Sequence, residues 1–202
     1  MNEPLRHLPY FTAWGGKSWA GLVRLAIDHL QQHRTLEGAQ VLDIGTRYGE
    51  MAVLFSLLGA RATGIDLHER PLVTAREEAS KWGVSARTQF LVYNGDLDLF
   101  PDKHFDIIFT KSVLVLVPNL EAFLKQIAKK LKPNGHVVFI ENAQGSLLSQ
   151  ALRAIKYRYI NYGKVHHLTE ADIAMMRTTF QIDLLKRTAF PPVYLFLGRR
   201  PV

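Results

Sequence analysis

The stretch Val41-Leu42-Asp43-Ile44-Gly45-Thr46-Arg47-Tyr48-Gly49-Glu50 decides the fold, because a short apolar run ends in two closely spaced glycines. Val41, Leu42 and Ile44 predict a buried strand. Glycine in the turn permits positive φ and lets a ligand approach bare backbone, while unpaired amides open the following helix. The stretch predicts either a cofactor-binding turn or the ordinary strand–turn–helix of an α/β domain. The helix is indicated by apolar residues that recur at three and four positions: Met51, Ala52, Leu54, Phe55 and Leu58.

The acid in this stretch separates it from the dinucleotide fingerprint G-x-G-x-x-G, which holds a pyrophosphate. A carboxylate repels a pyrophosphate, but it pairs with an amine or accepts from a hydroxyl. The pattern, Asp43-x-Gly45-x-x-x-Gly49, resembles the first motif of class I (Rossmann-like) S-adenosylmethionine-dependent methyltransferases, Asp-x-Gly-x-Gly-x-Gly. Arg47 stands where that motif has its middle glycine. This departure places a cation and a large side chain near a cofactor that is itself a sulfonium.

Two more acids follow predicted strands. Asp66 lies 23 residues after Asp43, about where nucleotide-binding α/β folds place a carboxylate for both ribose hydroxyls. It would also serve as the N-cap of a helix that begins near Glu69. Asp96, another 30 residues on, follows the third strand in an Asn-Gly-Asp turn. Three acids at three consecutive strand ends, at these intervals, indicate a ligand site.

The resemblance implies S-adenosylmethionine as the cofactor. It places Asp43 and the glycine turn at the amino acid end, Asp66 at the ribose, and Asp96 with the Leu97 backbone amide at the adenine. A second match is Leu-Lys-Pro-Asn-Gly at residues 131–135, followed by an apolar strand, so that the resemblance covers residues 38–141. The full set of candidate cofactor-binding residues is Asp43, Gly45, Thr46, Gly49, Asp66, Leu67, Asp96, Leu97 and Lys111.

Hydrophobic periodicity predicts an α/β fold. We expect a three-layer α/β/α sandwich with a seven-stranded, mostly parallel sheet, whose last strand is antiparallel as in the resembled family. Residues 1–202 are expected to form a single domain, in which residues 1–36 are an N-terminal helical lid and residues 142–167 are an inserted substrate cap. The predicted strands cover residues 41–44, 62–66, 89–93, 105–110, 137–141, 180–185 and 193–198.

Substrate-binding residues are expected in the aromatic N-terminal segment and in the cap, where aromatic and cationic side chains could hold an aromatic acid or a phosphate. These aromatics could equally cover the core, and the cations could lie on a solvated helix face. His166 and His167 are candidate catalytic residues, since imidazole takes a proton from a phenol, hydroxyl or amine. No acid or third histidine lies at ligand spacing beside them, so no metal site is predicted. The candidate substrate-binding residues are Tyr10, Trp14, Arg153 and Tyr157.

Composition excludes several classes of protein. The chain of 202 residues has no cysteine, which excludes disulfides, thiolate metal sites and cysteine nucleophiles. It has no signal-peptide core and no apolar run near the roughly eighteen residues of a membrane helix, so we expect a cytoplasmic protein without a membrane span. Residues 143–202 hold nine Lys and Arg against three Asp and Glu. This excess indicates a solvated surface or attraction to an acidic substrate, a membrane or nucleic acid.

The sequence therefore predicts a methyltransferase acting on an oxygen or nitrogen nucleophile of a small molecule, with anionic or aromatic metabolites as candidates. Neither Asn-Pro-Pro-Tyr nor Asp-Pro-Pro-Tyr follows the fourth strand, which argues against a flipped nucleic-acid base as substrate. The alternatives are an RNA or protein methyltransferase, favoured by the basic C-terminal part, and a non-catalytic binding subunit, for which Arg47 is the hint. Both a monomer and a homodimer are compatible with the sequence.

Overall fold

Apolar strands and amphipathic helices alternate along the chain, and in the computed structural model they form one seven-stranded sheet covered by helices. The structure describes residues 16–145 and 165–201. The strands are β1 (Gln40–Ile44), β2 (Arg61–Asp66), β3 (Thr88–Val92), β4 (Phe105–Lys111), β5 (Leu131–Asn142), β6 (Gln181–Arg187) and β7 (Val193–Arg199). The helices are α1 (Gly16–His33), α2 (Glu50–Leu57), α3 (Glu69–Lys81), α4 (Leu120–Lys130) and α5 (Glu170–Thr179), with 3-10 turns at Ser85–Arg87 and Leu114–Leu116.

The strand order is β3-β2-β1-β4-β5-β7-β6. The strands from β3 to β5 pair in parallel, whereas β7 runs antiparallel to both of its neighbours. The predicted mostly parallel sheet with an antiparallel last strand is confirmed. The order reverses between β1 and β4, and in open α/β sheets ligands bind in the crevice outside the strand ends at such a point.

The side chains of each strand point alternately to the two faces of the sheet, and this divides the core into two layers. Val41 packs with α1, α2 and α3 on one face, while Leu42 and Ile44 pack with α4 and α5 on the other. Strand β5, which is separated from β1 by β4, follows the same rule, with Val138 in the first layer and Phe139 in the second. The predicted three-layer α/β/α sandwich is therefore confirmed.

Strand β5 begins earlier than the sequence predicts. Helix α4 ends at Lys130, and Leu131 already pairs with Phe105. The register then shifts at a bulge, and the ladder resumes where His136 pairs with Ile107. The bulge accommodates the Lys-Pro-Asn-Gly segment, because Pro cannot donate to a regular ladder. The segment at residues 131–135, which the sequence places before the fifth strand, is therefore an irregular start of that strand.

Several predicted features lie outside the described residues. Of the expected lid, the structure describes α1, which buries Leu22, Val23 and Leu30 in the core. Of the expected cap, residues 146–164 are outside the description. The candidate substrate residues Tyr10, Trp14, Arg153 and Tyr157 lie there or in the first 15 residues. Within the described ranges, no helix combines the length and apolar character needed to cross a bilayer.

Candidate active site

The turn after β1 contains left-handed residues at three alternate positions. Gly45 has φ +71°, Arg47 +48° and Gly49 +79°. These are the three positions at which the resembled motif has glycine. A Cβ atom at Gly45 would collide with Cγ2 of Val113, so the bare backbone there is needed for close packing. The motif thus sets a backbone path that the chain follows despite its arginine.

Arg47 does not block this turn with its side chain. The residue is exposed, and its guanidinium carbon lies 5.2 Å from the centroid of the Tyr48 ring. Its backbone N–H donates to Oδ2 of Asp66 at 3.1 Å. Arg47 therefore joins the glycine turn to the acid at the end of β2 through its backbone.

Asp66 is the best-formed element of the site. It is only 8% exposed, and its other oxygen, Oδ1, accepts from the backbone N–H of His68 at 3.1 Å. Each carboxylate oxygen has two acceptor positions, so each keeps capacity for one hydroxyl donor. Two vicinal ribose hydroxyls therefore fit this carboxylate. Leu67, the next residue, is 54% exposed and offers an apolar side chain that an adenine could cover.

The Asn-Gly-Asp turn after β3 is organised by side chains. Oδ1 of Asn94 accepts from the N–H of Asp96 at 3.0 Å, and Oδ1 of Asp96 accepts from the N–H of Asp98 at 2.9 Å. Leu97 is fully buried, and its N–H donates to Oε1 of Gln126 at 3.3 Å. The amide expected at the adenine thus contacts α4 in this structure, and its role toward a cofactor stays a prediction.

Asp43 is buried at the floor of the site, where it accepts a 2.5 Å hydrogen bond from Oγ1 of Thr46. Burial raises the pKa of Asp43 to about 7, although the Thr46 bond and the charge of Lys111 oppose the increase. Burial also lowers the pKa of Lys111, while the charges of Glu50 and Asp43 oppose that decrease. The Nζ atom of Lys111 lies 6.0 Å from the Trp19 ring centroid, so the start of α1 reaches this end of the cleft.

Gly64 also belongs to the site, and the sequence analysis did not single it out. A Cβ atom there would lie 2.7 Å from Oγ1 of Thr46 and 2.8 Å from a ring carbon of Phe90. Glycine in β2 thus makes room for the Thr46 hydroxyl that bonds Asp43. The sequence did contain a signal for this role, because a glycine inside a predicted strand marks a close approach of another group.

The two candidate catalytic histidines differ in their surroundings. The segment that carries them is attached to the turn after β4, because the N–H of His166 donates to the Val115 carbonyl at 2.8 Å. Nε2 of His166 lies 2.9 Å from Oδ2 of Asp172, and the imidazole is 55% exposed. His167 is half-buried. The structure therefore places both histidines on the β4–β5 side of the crevice.

Asp172 lies in the first turn of α5, and the sequence analysis did not assign it to the site. It forms a capping box with Thr169, whose N–H and hydroxyl both bond Oδ2 of Asp172 at 2.7 Å. Burial opposes ionisation, but the hydrogen bonds from Thr169 and His166 prevail and hold the pKa of Asp172 below its usual value. Asp172 therefore orients the His166 ring as a carboxylate. His166 lies six residues before Asp172, and this spacing alone does not show that the ring turns back to the carboxylate.

Glu141 is a second carboxyl that the sequence analysis did not assign to the site. It lies near the carboxyl end of β5, is fully buried, and accepts from Oγ1 of Thr110 at 2.8 Å. Burial raises the pKa of Glu141 to about 7, although the hydrogen bond from the Thr110 hydroxyl opposes the increase. An acid at a strand end is the signal that identified Asp43 and Asp66, and it extends to Glu141. Among the described residues, no group of three or more histidines and acids has the arrangement of a metal site.

Comparisons with known proteins agree with this geometry. A family described as methyltransferase domain matches residues 19–184. A ubiquinone biosynthesis O-methyltransferase from Photobacterium profundum is 32% identical over 116 residues, covering 57% of this chain and 49% of that protein. A demethylmenaquinone methyltransferase from Tropheryma whipplei is 38% identical over 104 residues, or 52% and 42% of the two chains. The chain thus spans about half the length of these curated relatives.

Solved structures show the same fold. An S-adenosylmethionine-dependent methyltransferase from Mesorhizobium loti superposes with a TM-score of 0.72 at 18% identity, over 90% of this chain and 97% of that one. A geranyl diphosphate C-methyltransferase from Streptomyces coelicolor, solved with S-adenosyl-L-homocysteine, gives 0.73 at 14% identity, over 90% and 80%. Because the family match spans most of the sequence, the chain belongs to the methyltransferase domain family, and its predicted membership of the class I S-adenosylmethionine-dependent methyltransferases is confirmed.

Proposed function

We propose that this chain transfers the methyl group of S-adenosylmethionine to a hydroxyl oxygen of a small aromatic molecule. The observation that carries the proposal is the junction of the glycine turn with Asp66, where the Arg47 N–H meets the carboxylate at 3.1 Å. In this proposal Asp66 would accept from the ribose hydroxyls beside bare backbone at the crevice between β1 and β4. The arginine at position 47, where the resembled motif has glycine, leaves both the turn and the Asp66 carboxylate intact. This favours an enzyme over a non-catalytic subunit.

The chemistry required of the protein is mainly alignment. S-adenosylmethionine supplies a methyl group already activated by its sulfonium. The protein must hold the acceptor oxygen in line with the methyl carbon and exclude water, which is a proximity effect. Asp66 would fix the ribose, while Asp43 and Lys111 offer opposite charges to the two ionic groups of the amino acid end. Trp19, beside Lys111, would help to keep water from that end.

His166 is the better of the two candidate bases. Ionised Asp172 accepts the proton on Nε2, which leaves Nδ1 with the basic lone pair. An acceptor hydroxyl held at Nδ1 would give its proton to the imidazole as the oxygen–carbon bond forms. The carboxylate of Asp172 stabilises the resulting imidazolium. His167, which is half-buried, remains the second candidate.

The names of the curated relatives support an aromatic substrate. One is named for ubiquinone biosynthesis and O-methylation, and the other for demethylmenaquinone. A phenolic or hydroquinone ring therefore fits the proposed proton transfer to His166. Since the chain spans about half of each relative, the substrate is part of the proposal.

Calorimetric titration with S-adenosylhomocysteine tests the cofactor site. Asp66→Asn removes one carboxylate oxygen and the charge, and we expect affinity to fall at least about tenfold, since a charge-assisted hydrogen bond contributes about 1.5–3 kcal/mol. Glu69→Gln is the matched control, because it removes the same charge from an exposed position at the start of α3 and should bind like the wild type. Failure of the wild-type chain to bind either cofactor form would overturn the proposal.

A methyl-transfer assay tests the substrate class. With methyl-labelled S-adenosylmethionine, catechols and hydroquinones should become labelled, whereas the same rings with every hydroxyl already methylated should not. His166→Gln is expected to reduce kcat while leaving S-adenosylhomocysteine affinity unchanged. Labelling of anilines but not phenols would show a nitrogen acceptor instead, and an unchanged kcat in His166→Gln would reject His166 as the base.

A further inference from the structure

We propose that Glu141 is a positioning residue for methyl transfer, which holds the turn after β4 between the cofactor glycine and the histidine segment. The inference rests on the proposed function. Oε1 of Glu141 accepts two hydrogen bonds from β4 and its turn, one from the Thr110 hydroxyl at 2.8 Å and one from the Val113 N–H at 3.1 Å. A single buried carboxyl oxygen thus fastens the turn to β5.

The turn needs such fastening because its backbone conformation is unfavourable. Ser112 has φ +58°, a left-handed conformation that is strained for a residue other than glycine. Such residues persist where their surroundings over-determine them. Here the Ser112 N–H donates to the Ile140 carbonyl at 3.0 Å, and its hydroxyl accepts from Asn142 at 3.2 Å. Glu141 and its two neighbours along β5 therefore hold the turn together.

On one side the turn contacts the cofactor glycine. Cγ2 of Val113 occupies the space where a Cβ atom of Gly45 would lie. The N–H groups of Gly45 and Thr46 both donate to the Ile65 carbonyl, at 2.8 and 3.0 Å, which fixes the other side of the glycine. Displacement of Val113 would leave Gly45 without its packing partner. Glu141 thereby acts on the cofactor turn through Val113.

On its other side the turn carries the candidate base. The Val115 carbonyl accepts from the His166 N–H at 2.8 Å, and the Leu168 N–H donates to the Asn142 carbonyl at 3.0 Å. The histidine segment therefore rests on the same turn and the same end of β5 that Glu141 joins. The position of the base relative to the cofactor glycine is then set through one buried carboxyl.

The fold alone does not require a carboxyl at this position. Oε2 of Glu141 is buried and has no hydrogen-bond partner among the described residues, and an unsatisfied buried oxygen is destabilising. Methionine has a similar length and would fill the space without that cost, but it would provide no acceptor for Val113. Glutamine would keep the acceptor and lose the charge. Comparison of Glu141→Met with Glu141→Gln therefore separates the effect of the hydrogen-bond acceptor from the effects of side-chain volume and charge.

The test measures S-adenosylhomocysteine affinity by calorimetry on the full chain, together with Tm for each variant. Glu141→Gln should bind within about threefold of the wild type, whereas Glu141→Met should bind at least tenfold more weakly while remaining folded. Thr110→Val is the matched control, since it removes the other donor to the same oxygen and leaves Val113 held. Its affinity should equal that of the wild type.

A double-mutant cycle tests the route through Val113. If Glu141 acts through that side chain, the losses from Glu141→Met and Val113→Ala should be less than additive. Wild-type affinity in Glu141→Met, or a loss in Thr110→Val as large as in Glu141→Met, would overturn the inference and leave the proposed function intact. Absence of binding by the wild-type chain would overturn the proposed function and the inference with it.

Discussion

Arg47 shows how a single residue can keep a motif's geometry without its usual amino acid. Its left-handed backbone, with φ +48°, costs roughly 1 kcal/mol that glycine would not incur. We expect Arg47→Gly to raise the free energy of unfolding by about 0.5–1 kcal/mol, because relief of this strain exceeds the added freedom of the unfolded chain. Denaturant unfolding measures the difference.

Arg47→Ala is the control for that prediction, since it removes the charge and the side chain but not the backbone strain. It should give no gain in stability. Both variants should bind S-adenosylhomocysteine within about twofold of the wild type, because the guanidinium is exposed over Tyr48. A tenfold gain in affinity in both variants would mean that the arginine obstructs the cofactor.

Local sequence signals single out candidate site residues by their position along a strand. Asp43 and Asp66 were identified as acids that follow apolar runs, and both prove to be buried at the crevice. Asp172 was not identified, because the His166 ring must turn back to reach it from six residues away. Val113 was not identified, because its contact with Gly45 forms only when distant segments pack. Periodicity carries no information about such contacts.

Helix α4 is attached to the loop before β4 by a buried lysine. Lys130, with a side chain only 3% exposed, donates to Asp98 at 3.1 Å, to Asp102 at 3.0 Å and to the Phe100 carbonyl at 2.9 Å. The last turn of a helix also favours a cation, because the helix dipole is negative there. Lys130 therefore fixes the end of α4 and, with it, the start of β5.

Lys130→Met should lower the free energy of unfolding by about 1–3 kcal/mol, mainly because the Phe100 carbonyl loses its donor. Both carboxylates remain partly exposed and can be solvated, which limits the loss. Lys129→Met is the adjacent control, with a side chain 59% exposed and 3.7 Å from Asp102, and should cost no more than about 0.5 kcal/mol. If urea unfolding gave equal losses of unfolding free energy for Lys130→Met and Lys129→Met, the role of Lys130 would be refuted.

The starts of helices follow closely from the sequence where the hydrophobic periodicity and an N-cap residue agree. Helix α5 starts after the Thr169 cap, and α4 starts after Asn119, whose side chain accepts from the Ala122 N–H. The start of β5 did not follow, since Pro133 and Gly135 usually end a strand. Pairing of Leu131 with Phe105 overrides that local preference.

Across the whole molecule, buried titratable groups lie near both ends of the parallel strands. At the carboxyl end, burial raises the pKa values of Asp43 and Glu141 to about 7 each. Near the start of β5, burial and the charge of Arg34 lower the pKa of His136 to about 4, with Asp183 opposing. The two kinds of group make stability depend on pH with opposite signs.

The signs follow from which state binds more protons. A carboxyl with a raised pKa binds its proton more tightly in the folded state, so its contribution is present at low pH and declines as pH rises from about 4 through 7. His136 with a lowered pKa binds its proton more weakly when folded. Its contribution is therefore present above pH 6.5 and is lost as pH falls toward 4.

Neutral substitutions should separate these contributions. The Tm of Glu141→Gln relative to the wild type should increase between pH 5 and 8, because the wild type must ionise a buried carboxyl and the variant need not. The Tm of His136→Gln relative to the wild type should be highest near pH 4.5 and decrease toward pH 7. His68→Asn, at an exposed position, should show no such trend. Parallel Tm profiles for wild type and both buried-site variants would show that neither group titrates with folding.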